Sequence, residues 1–268
     1  MPIEATERLA QLLREVAEAH HIAFAATNGD DSEWARWYAE EMAPRLAGTE
    51  LLPTVSADAL PWLTVEQMAE ADRLAMEEFG IELLQMMEHA GAALADLVMR
   101  VAPAGAVTVL AGGGNNGGGG LCAARHLANR GRDVEVVLAT TTPGEAARHH
   151  VATLASMGIT PVDQPTGDVA VDALVGYGLH GPLTGRAAEL AAWASAHGAI
   201  SLDFPSGHGF PGAVMPAATL TLALPKRGLE AVHPLYLADL GLPRALWERL
   251  GVAANEPFAG GPLVTVTP

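Results

Sequence analysis

Two aspartates occupy the ends of neighbouring apolar segments, where a carboxyl group can carry out proton transfer. Asp172 lies in the run Val-Asp-Ala-Leu-Val, which leads into a glycine turn, and Asp203 follows Ile-Ser-Leu. A carboxyl group among apolar residues needs a partner or takes a raised pKa, and both conditions suit acid–base chemistry. Either aspartate could instead cap the turn that follows it. Because two of them occur at neighbouring strand ends, we favour a functional site.

A glycine-rich stretch at 112–120 lies upstream of both aspartates and contains seven glycines and two asparagines. We predict that it forms a loop between a buried strand at 107–111 and a helix at 119–130. Glycines adopt positive φ and allow close approach of a ligand, and the N-terminus of the following helix favours an anion. The stretch is therefore predicted to bind a ligand.

The pattern G-x-G-x-x-G within this stretch matches the dinucleotide-binding fingerprint, but its surroundings do not. The fingerprint requires an acid at the end of the second strand, whereas Asp133 and Glu135 lie at the start of the strand predicted at 134–139. No lysine follows the glycines, as a phosphate-binding P-loop requires. An ordinary nicotinamide dehydrogenase and a P-loop enzyme are therefore disfavoured.

Other residues limit which metal ions and which nucleophiles the site could use. Asn116, Asp172 and Ser206 offer only oxygen ligands, which suit a hard cation rather than zinc. The ten histidines show no metal-binding spacing, because the pairs at 20–21 and 149–150 are adjacent in sequence. Ser206 lies in no G-x-S-x-G elbow. The single cysteine, Cys122, excludes an intramolecular disulfide and is expected to be a buried apolar residue.

The composition excludes several classes of partner. The 268 residues carry a net charge of −16, which disfavours binding to nucleic acid or to an anionic membrane. The sequence has no apolar run of transmembrane length, and its N-terminus lacks the features of a signal peptide. Together with the single cysteine, which fits a reducing compartment, these features predict a cytoplasmic protein.

Strands and helices that could position these residues alternate after residue 107. Apolar runs predict strands at 107–111, 134–139, 169–175 and 200–204, with shorter β segments at 218–223, 234–238 and 263–267. Such alternation predicts a doubly wound α/β sheet with its ligand at the carboxyl ends of the strands. Upstream, Thr64 and Gln67 form a capping box that opens a helix. We divide the chain into a helical extension of unknown role at 1–55 and a domain at 56–268.

Several short motifs between residues 63 and 245 form an ordered set. They are T-V-E-Q-M at 64–68 with Asp72, G-I at 80–81, M-E-H-A-G at 87–91, G-N-N-G-G-x-G-L at 114–121 with A-R-H-L at 124–127, V-D-A at 171–173 with G-x-G at 176–178, D-x-P-S-G at 203–207, and P-K-x-G at 225–228. In this combination the chain resembles the NAD(P)H-hydrate epimerase family, the YjeF N-terminal domain. The resemblance implies a Rossmann-like three-layer α/β/α sandwich with a mostly parallel sheet, often as a homodimer.

The resemblance also implies a reaction. Enzymes of this family interconvert the R and S forms of NADHX and NADPHX, which are hydrated NADH and NADPH with a hydroxyl on the reduced nicotinamide ring. A dehydratase then repairs the S form, and because no such domain follows in this sequence, we expect a separate dehydratase as a partner in the pathway.

The roles that the resemblance implies fall on three groups of residues. The nucleotide substrate would contact Asn115, Asn116, Gly117, Gly118, Gly119, Gly176, Tyr177, Gly178, Leu179, His180, Gly181, Pro182 and Asp203. A potassium ion would contact Asn116, Asp172 and Ser206, where it would set loop geometry and offset carboxylate charge. Asp203 would lie at the reacting ring and act as its acid–base residue.

Some positions depart from the family pattern. Gly119 stands where the family has a loop aspartate, so a second carboxyl group expected at the substrate is missing, and His89 stands where the family has asparagine. His180 and His208 fall on site loops, where each could supply the missing proton-transfer group or be an exposed loop residue. Two functions therefore stay open: an epimerase that tolerates Gly119, and a catalytically silent member that binds a nucleotide-like ligand or scaffolds a partner.

Overall fold

The computed structural model describes residues 52–268 together with Arg14, Ala17, His20 and Trp37, which are helical. Contacts within the chain divide it into two units, residues 1–54 and 55–268. Most of the extension predicted at 1–55 lies outside the described residues, and its role stays a prediction. In the part of the chain that the structure describes, no helix has the length and apolar character needed to span a membrane.

One eight-stranded sheet organises the described residues. Its strands are β1 (Thr54–Ser56), β2 (Val107–Ala111), β3 (Val134–Leu138), β4 (Val169–Ala173), β5 (Ile200–Leu202), β6 (Ala218–Leu222), β7 (Leu235–Ala238) and β8 (Leu263–Thr267). The order across the sheet is β1-β8-β7-β6-β5-β4-β2-β3. All pairings from β3 to β7 are parallel, and β8 runs antiparallel to β7.

The helices that accompany this sheet are α1 (Val65–Glu77), α2 (Leu83–Val101), α3 (Asn115–Asn129), α4 (Glu145–Ser156), α5 (Gly185–Ala196) and α6 (Arg244–Arg249). The predicted capping box is confirmed at the start of α1, where the Thr64 side chain accepts from the Gln67 N–H and the Gln67 side chain accepts from the Thr64 N–H. Two unpaired N–H groups of the first turn are satisfied in this way.

Helices cover both faces of the sheet. A Cβ added to Gly120 of α3 would lie 2.4 Å from Ala173 Cβ and 3.4 Å from Val109 Cγ1. Leu110, the next residue of β2, packs in a buried cluster with Leu190 of α5. Because successive side chains of a strand point to opposite faces, α3 and α5 lie on opposite sides of the sheet. The predicted three-layer α/β/α sandwich with a mostly parallel sheet is confirmed.

The glycine stretch is not the loop that the sequence predicted. α3 begins at Asn115, so the glycines at 117–120 are helical, and none of the seven glycines has a positive φ. Glycine is required here because the backbone packs closely: a Cβ on Gly117 would lie 2.0 Å from the carbonyl oxygen of Gly112. The low helix propensity of glycine predicts a loop, and this tertiary contact overrides that preference.

Candidate functional site

A cavity of about 410 Å³ lies at the carboxyl ends of the central strands, bordered by α1, α2 and the start of α3. This is the edge at which a doubly wound sheet binds its ligands. Seven of the residues predicted to bind substrate line the cavity: Asn115, Asn116, Gly119, Gly176, Tyr177, Gly178 and Asp203.

The other predicted residues lie outside the cavity wall. Gly117 and Gly118 pack behind it, against Gly112 and Met87 respectively. Residues 179–182, which include His180, follow the turn that forms the wall but do not line it. His208 also lies outside the wall, and its Nε2 is 2.8 Å from the Gly228 carbonyl oxygen. Neither histidine therefore faces the cavity as a proton-transfer group.

Asp203 follows β5 in a left-handed backbone conformation, with φ of 68°. Few residues other than glycine, asparagine and aspartate adopt this conformation, and it ends the strand at Leu202, earlier than predicted. The residue is 4% exposed and lines the cavity, where its Oδ2 accepts a 2.9 Å hydrogen bond from the Tyr177 N–H. Uncommon backbone conformations of this kind cluster at functional sites.

Gly176 allows three segments to meet beside Asp203. A Cβ at this position would lie 2.6 Å from Asp203 Oδ2 and 3.1 Å from the Asn116 side-chain amide. With its amide oriented to satisfy both ends, Asn116 donates to the Leu202 carbonyl and accepts from the Gly176 N–H, each at 3.3 Å. Asn116 therefore connects the start of α3 with the segments that follow β4 and β5.

Lys226, the only lysine of the chain, is the ion-pair partner of Asp203. Its side chain is 1% exposed, and its Nζ lies 2.8 Å from Asp203 Oδ1. Nζ also donates to the Leu222 carbonyl at 2.7 Å and to the Thr221 hydroxyl at 3.4 Å. Asp203 Oδ1 is therefore a buried oxygen beside a positive charge.

Sequence reasoning placed Lys226 in a motif without giving it a role. Its main chain is held by Leu63, which donates to the Pro225 carbonyl and accepts from the Arg227 N–H, each at 2.8 Å. The next residue, Thr64, caps α1. The segment that carries Lys226 is thus fixed directly to the start of α1. The sequence did offer one signal, because Lys226 is the single lysine among 15 lysine and arginine residues.

Asp72 of α1 is a second carboxyl group in the cavity wall, and it too had been noted only as part of a motif. Its Oδ2 accepts a 2.7 Å hydrogen bond from the Tyr177 hydroxyl. Burial raises the pKa of Asp72 above its usual value, although the Tyr177 hydrogen bond and the charge of Lys226 act against this. Burial and the charge of Asp72 likewise raise the pKa of Tyr177.

Asp172 is fully buried and lies outside the cavity wall. Its Oδ1 accepts from the Ser206 hydroxyl at 2.6 Å and the Leu174 N–H at 3.3 Å. Its Oδ2 accepts from the Ser201 hydroxyl at 2.7 Å and the Ser206 N–H at 2.8 Å. Burial raises the pKa of Asp172, against the opposing effect of these hydrogen bonds. The carboxyl group connects β4 with β5 and the turn that follows it.

The oxygen atoms around Ser206 form a donor set that fits a hard cation. Ser206 Oγ lies 2.6 Å from Asp172 Oδ1 and 3.1 Å from the Val175 carbonyl oxygen, and it accepts from the Val175 N–H. One hydroxyl proton faces two acceptors, so the group has more oxygen lone pairs than protons. Such a set suits an oxygen-binding cation. Asn116, the third predicted ligand, contacts Gly176, the residue after Val175.

Glu88 gives the M-E-H-A-G motif a structural role. It forms an ion pair with Arg125 and a 2.9 Å hydrogen bond with His126 Nε2, and so joins α2 to α3. The ligand atoms of Glu88, Cys122 and His126 lie within 4.8 Å of one another, a grouping that sequence spacing did not predict. Arg125 contacts all three residues, so its guanidinium already provides the cation. Burial raises the pKa of Cys122 to about 12, in keeping with a buried thiol.

Comparison with known proteins identifies the family. The model of the YjeF-related protein N-terminus matches residues 83–228, from α2 to the segment that carries Lys226. An NAD(P)H-hydrate epimerase from Dehalogenimonas lykanthroporepellens is 43% identical over 235 residues, which cover 80% of this chain and 96% of that protein. The chain belongs to the YjeF N-terminal family.

Other relatives of this YjeF domain agree with the assignment. An NAD(P)H-hydrate epimerase from Rhodopirellula baltica is 36% identical, with 72% of this chain and 89% of that protein covered. A bifunctional NAD(P)H-hydrate repair enzyme from Thermofilum pendens is also 36% identical, and the match covers 72% of this chain but 43% of that protein. The crystal structure of yeast ynu0 has a TM-score of 0.70 at 23% identity, covering 77% of this chain and 100% of that one, which confirms the fold.

Proposed function

We propose that this YjeF-family protein is an NAD(P)H-hydrate epimerase that interconverts the R and S forms of NADHX and NADPHX. The observation that carries the proposal is the cavity, in which Asp203, Asp72 and Lys226 lie beside the open start of α3. No side chain caps α3, so its first N–H groups can bind the anionic part of a nucleotide. The names of the relatives that match most of the chain support the same activity.

Asp203 is the residue that we assign to acid–base catalysis. Epimerisation can proceed by loss of hydroxide from the ring carbon, assisted by the ring nitrogen, followed by return of water to the other face. A carboxyl group can donate a proton to the departing oxygen or accept one from the incoming water. Asp203 suits this role because it lines the cavity, while Lys226 supplies a positive charge 2.8 Å from its Oδ1.

We also propose potassium as a structural cofactor held by Asn116, Asp172 and Ser206. When bound, the ion would offset the charge of Asp172 and fix the segments that follow β4 and β5. The oxygen-only donor set supports this proposal. Asp172 holds the fold around the cavity and takes no part in proton transfer at the ring, because it lies outside the cavity wall.

A rate measurement with separated epimers tests the proposed activity. Purified protein is incubated with R-NADHX in water enriched in oxygen-18, and the S form is followed by chromatography against the spontaneous rate. We expect faster interconversion with incorporation of the heavy oxygen, and its loss in Asp203→Asn. The exposed residue Asp58 gives a matched control, because Asp58→Asn changes a carboxyl group far from the chemistry. Interconversion at the spontaneous rate despite bound NADHX would contradict the proposal.

The second candidate is a catalytically silent protein that binds a nucleotide-like ligand or scaffolds a partner. One observation favours it, namely that Gly119 lines the cavity at the position of the family aspartate. We favour the epimerase because Asp203 and Asp72 still face that cavity. We further propose that it works in the cytoplasm as a homodimer, with a separate dehydratase that consumes the S form. The bifunctional repair enzyme of Thermofilum pendens supports a link to a second repair activity.

A further inference from the structure

We infer that Asp72 is a second acid–base group of this site and that the Tyr177 hydroxyl positions it. The inference rests on the proposed epimerase function. Asp203 belongs to the sheet edge and Asp72 to α1, so the cavity has carboxyl groups on two different elements of its wall. Gly119 stands where the family has a loop aspartate, and Asp72 of α1 supplies a second carboxyl group in its place.

The chemistry requires proton transfer on both faces of the ring. An acid on one face protonates the departing oxygen as the C–O bond breaks, and the lone pair of the ring nitrogen forms a C=N bond. Water then bonds to the carbon from the other face, the C=N electron pair returns to nitrogen, and a base takes the proton of the water. Exchange with solvent restores the two protonation states, and no oxidant or reductant is needed. One carboxyl group fixed on one face cannot serve both steps unless the ring turns over.

Tyr177 sets the separation of the two carboxyl groups. Its N–H donates to Asp203 Oδ2 at 2.9 Å and its hydroxyl donates to Asp72 Oδ2 at 2.7 Å. The two groups are therefore held apart by the length of a tyrosine residue, and both lie in the wall of the same cavity. Met68 lies one helical turn before Asp72 and also lines the cavity, so this face of α1 points towards the ligand space.

The electrostatic surroundings of Asp72 suit the role of proton donor. The groups that act on it from neighbouring elements are Tyr177, Lys226 and Asp203. On α6, which packs against α1, Arg249 pairs with Glu78 rather than with Asp72. Burial has the largest effect and raises the pKa of Asp72, which keeps its proton to a higher pH than an exposed aspartate does.

Two variants test this inference. Asp72→Asn keeps an acceptor for the Tyr177 hydroxyl but cannot transfer a proton, and we expect turnover to fall by about 10²–10⁴. Tyr177→Phe removes a hydrogen bond that lowers the pKa of Asp72. We therefore expect the limb of the rate–pH profile that belongs to Asp72 to move to higher pH in Tyr177→Phe and to vanish in Asp72→Asn. In Asp72→Asn the unfolding midpoint should stay close to wild type, because the acceptor for the Tyr177 hydroxyl is retained.

The outcomes separate this inference from the proposed function. If the wild-type protein does not accelerate interconversion, the proposed function fails. If the wild type is active and Asp72→Asn keeps its rate and its pH profile, Asp72 has no acid–base role while the epimerase function stands. An Asp72→Asn protein that does not fold leaves the decision to Tyr177→Phe. A rate–pH profile that does not move in that variant would overturn the inference.

Discussion

Two aspartates at the ends of adjacent strands, Asp172 in β4 and Asp203 directly after β5, are both buried and yet differ in what their oxygens contact. Asp172 accepts four hydrogen bonds and lies outside the cavity wall. Asp203 accepts one hydrogen bond, pairs with Lys226 and lines the cavity. Asp203 is also the one with a left-handed backbone.

The difference shows that burial alone does not identify a reactive carboxyl group. By exposure, Asp172 at 0% would be chosen before Asp203 at 4%. A group whose oxygens are all occupied by internal donors stabilises the fold, because buried polar groups are normally satisfied. A carboxyl group that lies in a cavity wall, as Asp203 does, can interact with a ligand. Position in the cavity wall therefore separates the two roles.

Replacing Asp203 and Lys226 together should have the largest effect on turnover among the variants that test this difference. In the double variant Asp203→Asn with Lys226→Met, turnover should fall by about 10²–10⁴ because the acid–base group is gone. Asparagine accepts the left-handed backbone, and removing both charges together should leave the free energy of unfolding nearly unchanged. Initial rates and denaturant unfolding measure the two effects.

The single variants provide the control for that prediction. Lys226→Met alone leaves a buried carboxylate without its partner, which should cost about 3–5 kcal/mol of folding stability. The double variant should recover that stability and still lack turnover. A double variant that keeps turnover would remove Asp203 from the mechanism.

The sequence predicted features that depend on local pattern. The alternation of strands and helices and the capping box at Thr64 follow from residue type and spacing over a few positions. The strands were predicted to be parallel, and parallel sheets of this kind bind ligands at the carboxyl ends of their strands. The sequence therefore also predicted which edge of the sheet holds the cavity. The doubly wound sheet and the general place of the site could therefore be derived before any coordinates, and the family resemblance implied the three-layer sandwich.

Features that depend on distant contacts could not be derived. The hydrogen bond between Asp72 and Tyr177 joins positions 105 residues apart, and the motif that contains Asp72 gives no sign of it. Gly117 gave a wrong prediction because its close contact with Gly112 is tertiary. His180 and His208 were plausible by position in the chain, whereas the charged side chains of the cavity wall that received no role from the sequence, Asp72 and Lys226, come from α1 and from the segment after β6.

Asp172→Asn should reveal the opposite behaviour to that of Asp203. The new amide nitrogen would face N–H and O–H donors, so at least two hydrogen bonds are lost, at about 1–3 kcal/mol for a group left unsatisfied. We expect lower folding stability, measured by denaturant unfolding, with smaller loss of turnover in the protein that stays folded. Asp58→Asn is again the matched control. Loss of turnover without loss of stability would end the distinction between the two aspartates.

Potassium should raise the stability of the folded protein through Asp172 and not through Asp203. An ion that binds only the folded state stabilises it by about 1.4 kcal/mol at tenfold excess over its dissociation constant. Thermal unfolding in potassium chloride should therefore lie above unfolding in choline chloride at equal ionic strength. Asp172→Asn should lose this difference, and the double variant of Asp203 and Lys226 should retain it. An equal response in Asp172→Asn would exclude the proposed ligand set.

Gly119→Asp should have the smallest effect and tests whether the cavity already has the groups it needs. A Cβ at this position would lie 2.9 Å from Leu202 Cδ2, the end of a flexible side chain, so the substitution can be accommodated. Gly119→Ala controls for this crowding and for the gain in helix propensity, which is about 1 kcal/mol. Restoring a missing acid–base group should raise turnover by roughly 10²-fold. If Asp72 and Asp203 already serve the two faces of the ring, the Gly119→Asp variant should gain far less than that. A gain of that size in Gly119→Asp, absent from Gly119→Ala, would mean that the wild-type chain is the silent binder, and that the carboxyl groups of Asp72 and Asp203 in the cavity wall are not sufficient for catalysis.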